Sequence, residues 1–179
     1  TPESAAICAR ECAAGRAPVT MANAERAILA RLRAMREEDF APFDGGGEGL
    51  YHRFYDAVQR ETTIDGILAA AKSKRYAYAR LRRLLLAAYL GVTLEDTPQR
   101  VPYLRVLACN ARGRELLRCM KTTAAAPVLT RSADVRRLDA DAQRLFTLTA
   151  RAEEQYVLAY PDLAAARPGS AWTTDPVIL

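Results

Sequence analysis

The sequence is poor in the residues that most soluble enzymes use for metal and nucleophile chemistry: one histidine, His52, and four cysteines in 179 residues. The cysteines, at positions 8, 12, 109 and 119, are too sparse for a disulfide scaffold. His52 lies far from all of them, so a zinc site of four soft ligands is not expected, no metal is assigned, and the thiols are read as buried. Long apolar runs are missing too. The longest, Leu84 to Val92, is about half of the roughly 20 residues that a membrane helix requires. The first residues, Thr1-Pro2-Glu3-Ser4, carry neither a basic nor an apolar leader segment. A cytoplasmic location with no membrane partner is expected. An initiator Met is also lacking, which suggests a piece of something longer.

Acid is missing where it would matter most. From Lys72 to Arg83 the chain carries Lys72, Lys74, Arg75, Arg80, Arg82 and Arg83 with no Asp or Glu, a local charge of +6 against +5 for the whole chain. Solvated faces usually mix signs, so this excess points to an anionic partner, nucleic acid first. A looser basic set, Arg105, Arg112, Arg114, Arg118 and Lys121, is opposed only by Glu115.

Half of the residues are hydrophobic and a quarter charged, with Ala, Leu and Arg prominent. That balance favours a soluble, mainly α protein with one core. Residues 1–22 read as a linker or a remnant of something upstream, and residues 23–179 as one helical domain. Asn23 is expected to cap a helix through about Glu38, with Ile28, Leu29, Leu32 and Met35 on one face. Pro42 and Gly45-Gly46-Gly47 break the chain before a helix from about Glu48 to Arg60 that buries Leu50, Phe54 and Val58. Thr62 or Thr63 caps the next helix, from Ile64 to about Lys72. A fourth, Arg75 to Leu90, ends at Gly91.

Beyond Gly91 the pattern changes. Tyr103 to Cys109 reads as a strand, residues 111 to 122 as a helix capped by Asn110, and Pro127 to Thr130 as a second strand. This is a short βαβ unit with two parallel strands. A last helix, about Asp139 to Tyr160, has Leu145, Leu148, Ala152, Tyr156 and Ala159 as its expected core stripe. The proline-bearing tail after it is expected to run extended.

On a helical wheel with Arg75 at zero and about 100° per residue, Leu81, Leu84, Leu85 and Ala88 gather on one side. Arg75, Arg82 and Arg83 gather on the other, with Arg80 at the border. Guanidinium groups on such a face suit successive phosphates, and Tyr76 and Tyr78 add rings for base stacking.

These residues also resemble a known family. Lys72-Ser73-Lys74-Arg75-Tyr76 followed by Arg80-Leu81-Arg82-Arg83 is similar to the K-S/T-K-R-Y-T-x-x-R-I/L-x-R segment of bacterial tRNA(Met) cytidine acetate ligases. Glu48-Gly49-Leu50 with Arg53, Leu104-Arg105-Val106-Leu107, Gly113-Arg114-Glu115-Leu116-Leu117, Pro127 to Thr130 and Pro176-Val177-Ile178 follow in the same order. The sequence departs at Ala77, where the family usually has Thr, and at His52, where it often has Asn.

The resemblance implies an enzyme that uses ATP, with magnesium, to activate acetate as acetyl-adenylate. The enzyme then acetylates N4 of the wobble cytidine of elongator tRNA(Met). That chemistry is associated with an H-x-G-H motif, which one histidine cannot supply. The chain is therefore expected to be the C-terminal tRNA-binding region, cut from its nucleotidyltransferase domain, with no catalytic residue, no cofactor of its own and no activity alone. Lys72, Lys74, Arg75, Tyr76, Arg80, Arg82 and Arg83 are the expected RNA contacts, and Arg53, Arg105, Arg112 and Arg114 the secondary ones. Two other readings remain at this point: a domain-junction element that meets ATP or acetyl-adenylate phosphates, or a structural or dimerising module with apolar surface near Leu29, Leu32 and Met35.

Overall fold

Hydrophobic periodicity and turn chemistry set most of the helices that the computed structural model shows. It describes residues 1–44 and 49–178, so the glycine run at 45–47 and the expected helix start at Glu48 lie outside the described residues. The chain divides into two compact units, residues 1–96 with 154–168, and residues 97–153 with 169–179. The boundary expected at residue 22 falls inside the first unit.

The first unit is helical: α1 (Pro2–Ala13), α2 (Glu25–Arg33), α3 (Ala41–Asp44), α4 (Leu50–Arg60), α5 (Ile64–Ala71) and α6 (Tyr78–Leu90). Its core joins Ile28 and Leu32 of α2 to Leu50, Phe54 and Val58 of α4, Ile67 and Leu68 of α5, and Leu81 and Leu85 of α6. The spacings of three and four put one face of each helix inward. Phe40 packs on Phe54 with ring centroids 5.6 Å apart. Leu32 and Met35 are buried and Leu29 packs against the same core, so the apolar surface expected near these three residues is largely covered within the unit.

Several helix ends depart from expectation. Asn23 does not cap α2; its amide donates to the Pro18 carbonyl at 3.2 Å and its Oδ1 accepts from the Thr20 hydroxyl at 2.6 Å. The helix instead begins at Glu25 from Ala24, without a side-chain cap, and stops at Arg33, short of the expected Glu38. Thr63 does cap α5, accepting from the Gly66 amide at 3.1 Å. Gly91 ends α6 at φ +71°, a left-handed conformation that a residue with a Cβ enters only with strain. Gly15, at φ +68°, has a second constraint. A Cβ there would sit 2.5 Å from Cβ of Asp162, in the 154–168 stretch whose Ala159 enters this core.

Helix α1 contributes no buried residue, and Cys8 and Cys12 are exposed, as is Cys119 in the second unit, while Cys109 is half-buried. The expectation of buried thiols fails for Cys8, Cys12 and Cys119, which lie on helix faces that nothing among the described residues covers.

The second unit contains β1 (Leu104–Arg105), β2 (Ala108–Cys109), α7 (Ala111–Thr123), β3 (Val128–Leu129), most of α8 (Ala140–Tyr156), α9 (Ser170–Thr173) and β4 (Val177–Ile178). The expected βαβ unit forms: β1 pairs with β3 in parallel, Leu104 opposite Val128, and Asn110 caps α7 by accepting from the Gly113 amide at 2.8 Å. The expected single strand from Tyr103 to Cys109 is two strands, however, and the second belongs to another sheet. There β2 pairs in parallel with β4 of the tail, Ala108 opposite Val177.

Helix α8 is shorter than expected, a 3₁₀ turn at Val157–Ala159 following it, and its buried face is Ala142, Phe146 and Ala150. Phe146 decides that rotation. It meets Trp172 edge-on at 4.8 Å and Tyr103 at 6.0 Å, and the two alanines one turn away on either side let neighbouring chain approach. Tyr156, expected in the core, is exposed. After β3, Asp134 gathers the Thr130 amide and hydroxyl and the Arg131 amide within 3.3 Å. Burial pushes its carboxyl pKa up, but these donors and Arg137 outweigh that and hold it below the usual value.

Candidate nucleic-acid interface

The cationic segment is a loop followed by a helix rather than one helix. Helix α5 ends at Ala71, residues 72–77 form a connection, and α6 begins at Tyr78. Arg75 and Tyr76 therefore leave the helical wheel on which they were placed.

Two side chains organise the connection. Arg53 of α4 donates from Nε to the Ala71 carbonyl at 2.9 Å and from Nη2 to Ala70 at 2.9 Å and Lys72 at 3.2 Å. These are carbonyls at the end of α5, which lack helical partners and carry the negative end of the helix dipole. Arg53, expected as a secondary RNA contact, is thus a helix cap. Ser73 Oγ accepts from the Tyr76 amide at 3.2 Å and closes the following turn.

Tyr76 is 6% exposed and sits in the core cluster, so it offers no face to a base. The guanidinium of Arg80 lies 5.5 Å from its ring centroid and that of Arg75 lies 6.0 Å away. Arg80 also donates to Asp44 Oδ1 at 3.0 Å, and the Asp44 side chain is only 2% exposed. Arg80 thus pairs with a buried carboxylate, a role invisible to a charge count because Asp44 is 36 residues earlier. Tyr78, in contrast, is exposed, with the Lys72 ammonium 5.7 Å from its ring centroid. Lys72 Nζ also donates to the Ser73 carbonyl at 2.6 Å.

Lys74, Arg75, Arg82 and Arg83 are exposed and Lys72 half-buried. Of the seven primary candidates, the structure leaves these five cations at the surface and draws Tyr76 and Arg80 inward. Among the secondary ones, Arg105 is also tied down: its guanidinium meets Glu153 Oε1 at 2.8 Å, the Ala171 carbonyl at 3.0 Å and the Phe146 ring at 5.4 Å. Arg112 and Arg114 are exposed on α7. His52 pairs through Nδ1 with Glu37 Oε1 and lies over Tyr51, centroids 3.9 Å apart. Sequence reasoning missed Asp44 and Ser73; only the turn preference of serine signalled either.

Ala77 is the N-cap of α6 and has no side chain to cap with. This gives the threonine usual in the resembled family a physical place. Ala77→Thr is expected to stabilise the protein by about 1 kcal/mol by supplying an acceptor for the first-turn amides. Thermal melting of the two forms checks it, and an unchanged or lower Tm would contradict the cap assignment.

Among the described residues no three His, Cys, Asp or Glu side chains gather to hold a metal, and no helix is long and apolar enough to cross a membrane.

A tightly held core arginine, a capped connection and a row of surface cations on helices are features many proteins share, and comparison with known proteins narrows them. Residues 1–169 match the family model described as HIGH Nucleotidyl Transferase. The chain belongs to the HIGH nucleotidyl transferase family. Among curated relatives, the tRNA(Met) cytidine acetate ligase of Syntrophomonas wolfei is 28% identical over 99% of this chain and 45% of the relative's length. That of Kosmotoga olearia is 37% identical over 71% of this chain and 31% of its own. Among solved structures, Thermotoga maritima TmcAL bound with alpha-thio ATP superposes with a TM-score of 0.87 at 25% identity, over 95% of this chain and 44% of that one. The chain thus spans less than half the length of these relatives.

The family match overturns the expectation of a C-terminal tRNA-binding region from which the nucleotidyltransferase domain is absent, since the nucleotidyl transferase model aligns with residues 1–169 of this chain itself. The expectations of inactivity alone and of no cofactor find no support in it either. Both came from equating a family with one four-residue motif, whereas family membership is carried by pattern along the whole chain.

Proposed function

We propose that the protein serves in the ATP-dependent acetylation of a tRNA(Met) cytidine, the reaction its relatives are named for, as a nucleotidyltransferase-type ligase. The match of residues 1–169 to the nucleotidyl transferase family carries this reading. The neighbour bound with alpha-thio ATP supports ATP as co-substrate. In this reaction an acetate oxygen attacks the α-phosphorus and pyrophosphate departs. The N4 amine of the cytidine then attacks the acyl carbon, and AMP leaves with the electron pair of the broken C–O bond. A cytoplasmic location would suit a tRNA substrate.

Within this reading Lys72, Lys74, Arg75, Arg82 and Arg83 meet RNA phosphate, and the exposed Tyr78 ring lies among them as a stacking face. Arg112 and Arg114 offer the same chemistry on α7. Contacts of this kind fix register and supply salt-sensitive affinity, while carrying no base information. No catalytic role is assigned to a described residue, and magnesium arriving with ATP is assigned no protein ligand.

The test is to incubate the intact protein with ATP, acetate and an elongator tRNA(Met) transcript, then digest the RNA and weigh its nucleosides. N4-acetylcytidine that requires both ATP and acetate is the expected result. A correctly folded protein that produces none, with or without AMP release, would overturn the assignment.

A further inference from the structure

The second unit holds a concave space of about 830 Å³, of whose lining the reading above employs only Arg114. Arg114, Arg118 and Lys121 of α7 line it from one side, Arg131 after β3 joins them, and Asp175 is the acid among the lining residues. The three helical cations are spaced four and three apart, which stacks them along one face. Glu115, the acid of this helix, lines a different hollow.

None of the four cations makes an ion pair or a side-chain hydrogen bond among the described residues. Some exposed arginines elsewhere have acid beside them: Arg36 has Glu38 and Asp39, Arg60 has Asp56, and Arg137 has Asp134. Like charges at these helical spacings repel and weaken a helix. Four uncompensated cations converging on one hollow therefore favour an anion that is not part of the fold. Val106, Leu117 and Ile178 add apolar surface to the lining of the hollow. Its size lies within the range of about 300–1,000 Å³ that small-ligand sites occupy.

We propose that this cleft binds a nucleoside phosphate. The phosphate sits among Arg114, Arg118, Lys121 and Arg131, the base packs on the apolar residues Val106, Leu117 and Ile178, and Asp175 accepts a hydrogen bond from a ribose hydroxyl or an exocyclic amine. The site goes beyond the reading of the Lys72–Arg83 segment and stands without it, because its residues belong to the other unit.

Backbone amide spectra of the intact protein, titrated separately with AMP, CMP, cytidine, inorganic phosphate and a short single-stranded RNA, test this. AMP or CMP is expected to shift the amides of residues 106, 114–121, 131, 177 and 178, and to bind more tightly than cytidine or inorganic phosphate. Arg114→Gln/Arg118→Gln/Lys121→Gln is expected to weaken that binding by about 30-fold or more, given the strength of hydrogen bonds to charged groups. Arg131→Gln, from a different element, should weaken it by about 10-fold. If the RNA alone binds with the same losses, the nucleotide is one within a strand; if only the mononucleotides bind, it is free. Inorganic phosphate binding as tightly as the nucleotides, affinity indifferent to both variants, or no binding by nucleotides and RNA alike would overturn the proposal. Cytidine acetylation is assayed separately, so failure of nucleotide binding and failure of that reaction are distinguishable.

Discussion

Replacing Lys74, Arg82 and Arg83 with glutamate is expected to lower the affinity of the intact protein for a tRNA(Met) transcript by about 100-fold or more. The three side chains are exposed, and no ion pair or side-chain hydrogen bond holds them among the described residues. Reversing their charge should therefore leave the fold in place. Each phosphate contact releases a condensed counterion, so losing three should also flatten the dependence of log affinity on log salt by about 2–3. This second readout separates loss of phosphate contacts from loss of structure, which would not change the slope in that way. Affinity and slope both unchanged, with Tm preserved, would remove RNA binding from this segment.

A substitution a few residues away on the same helix should behave in the opposite way. Arg80→Met is expected to cost about 3–5 kcal/mol of stability, because it leaves the Asp44 carboxylate without its cation. The Asp44 side chain is 2% exposed and its Oδ2 has no hydrogen-bond partner among the described residues, so Arg80 supplies much of what offsets the burial of this carboxylate. The Tm should fall by roughly 10 °C, while the molecules that remain folded keep the salt dependence of RNA binding. Arg80→Met combined with Asp44→Leu should recover most of the loss, since an apolar pair of similar volume often replaces a buried ion pair at little cost. A single variant as stable as the parent, but deficient in RNA binding, would return Arg80 to the interface.

The contrast between Arg80 and its neighbours explains what could be read before the fold was known. Periodic spacing placed Leu81, Leu84, Leu85 and Ala88 inward because a helix face depends only on local geometry. The short parallel pair β1–β3 was legible for a similar reason, as both strands flank one capped helix. The start of α6 was misplaced by three residues because Ala77 gives no capping signal, and that error carried Arg75 and Tyr76 onto a face they do not share. Long-range partners were invisible. Nothing near Arg53, Arg80 or Arg105 announces that α5 carbonyls, Asp44 and Glu153 will claim them. The buried face of α8 was misjudged likewise, since Phe146 is drawn by Tyr103 and Trp172, each more than 20 residues away. A count of cations measures potential for RNA; only the fold shows which of them are already spent.

The division of the chain bears on the order in which it is made. Each unit takes a second segment from beyond the other's main stretch: residues 154–168 return to the first, and residues 169–179 to the second. A nascent chain that has reached residue 96 has the helices α1 to α6 but not Ala159, which enters their core, nor Asp162, whose amide reaches the Gly15 carbonyl at 3.1 Å. The second unit waits longer still, because β2 has no partner strand until Val177 and Ile178 have been added. Closing that pair spans about 70 residues, a modest entropic penalty but a long delay. Neither unit is complete until its returning segment has been made, so the unpaired edge of β2 and the exposed Leu116 of α7 stay open to other chains during synthesis.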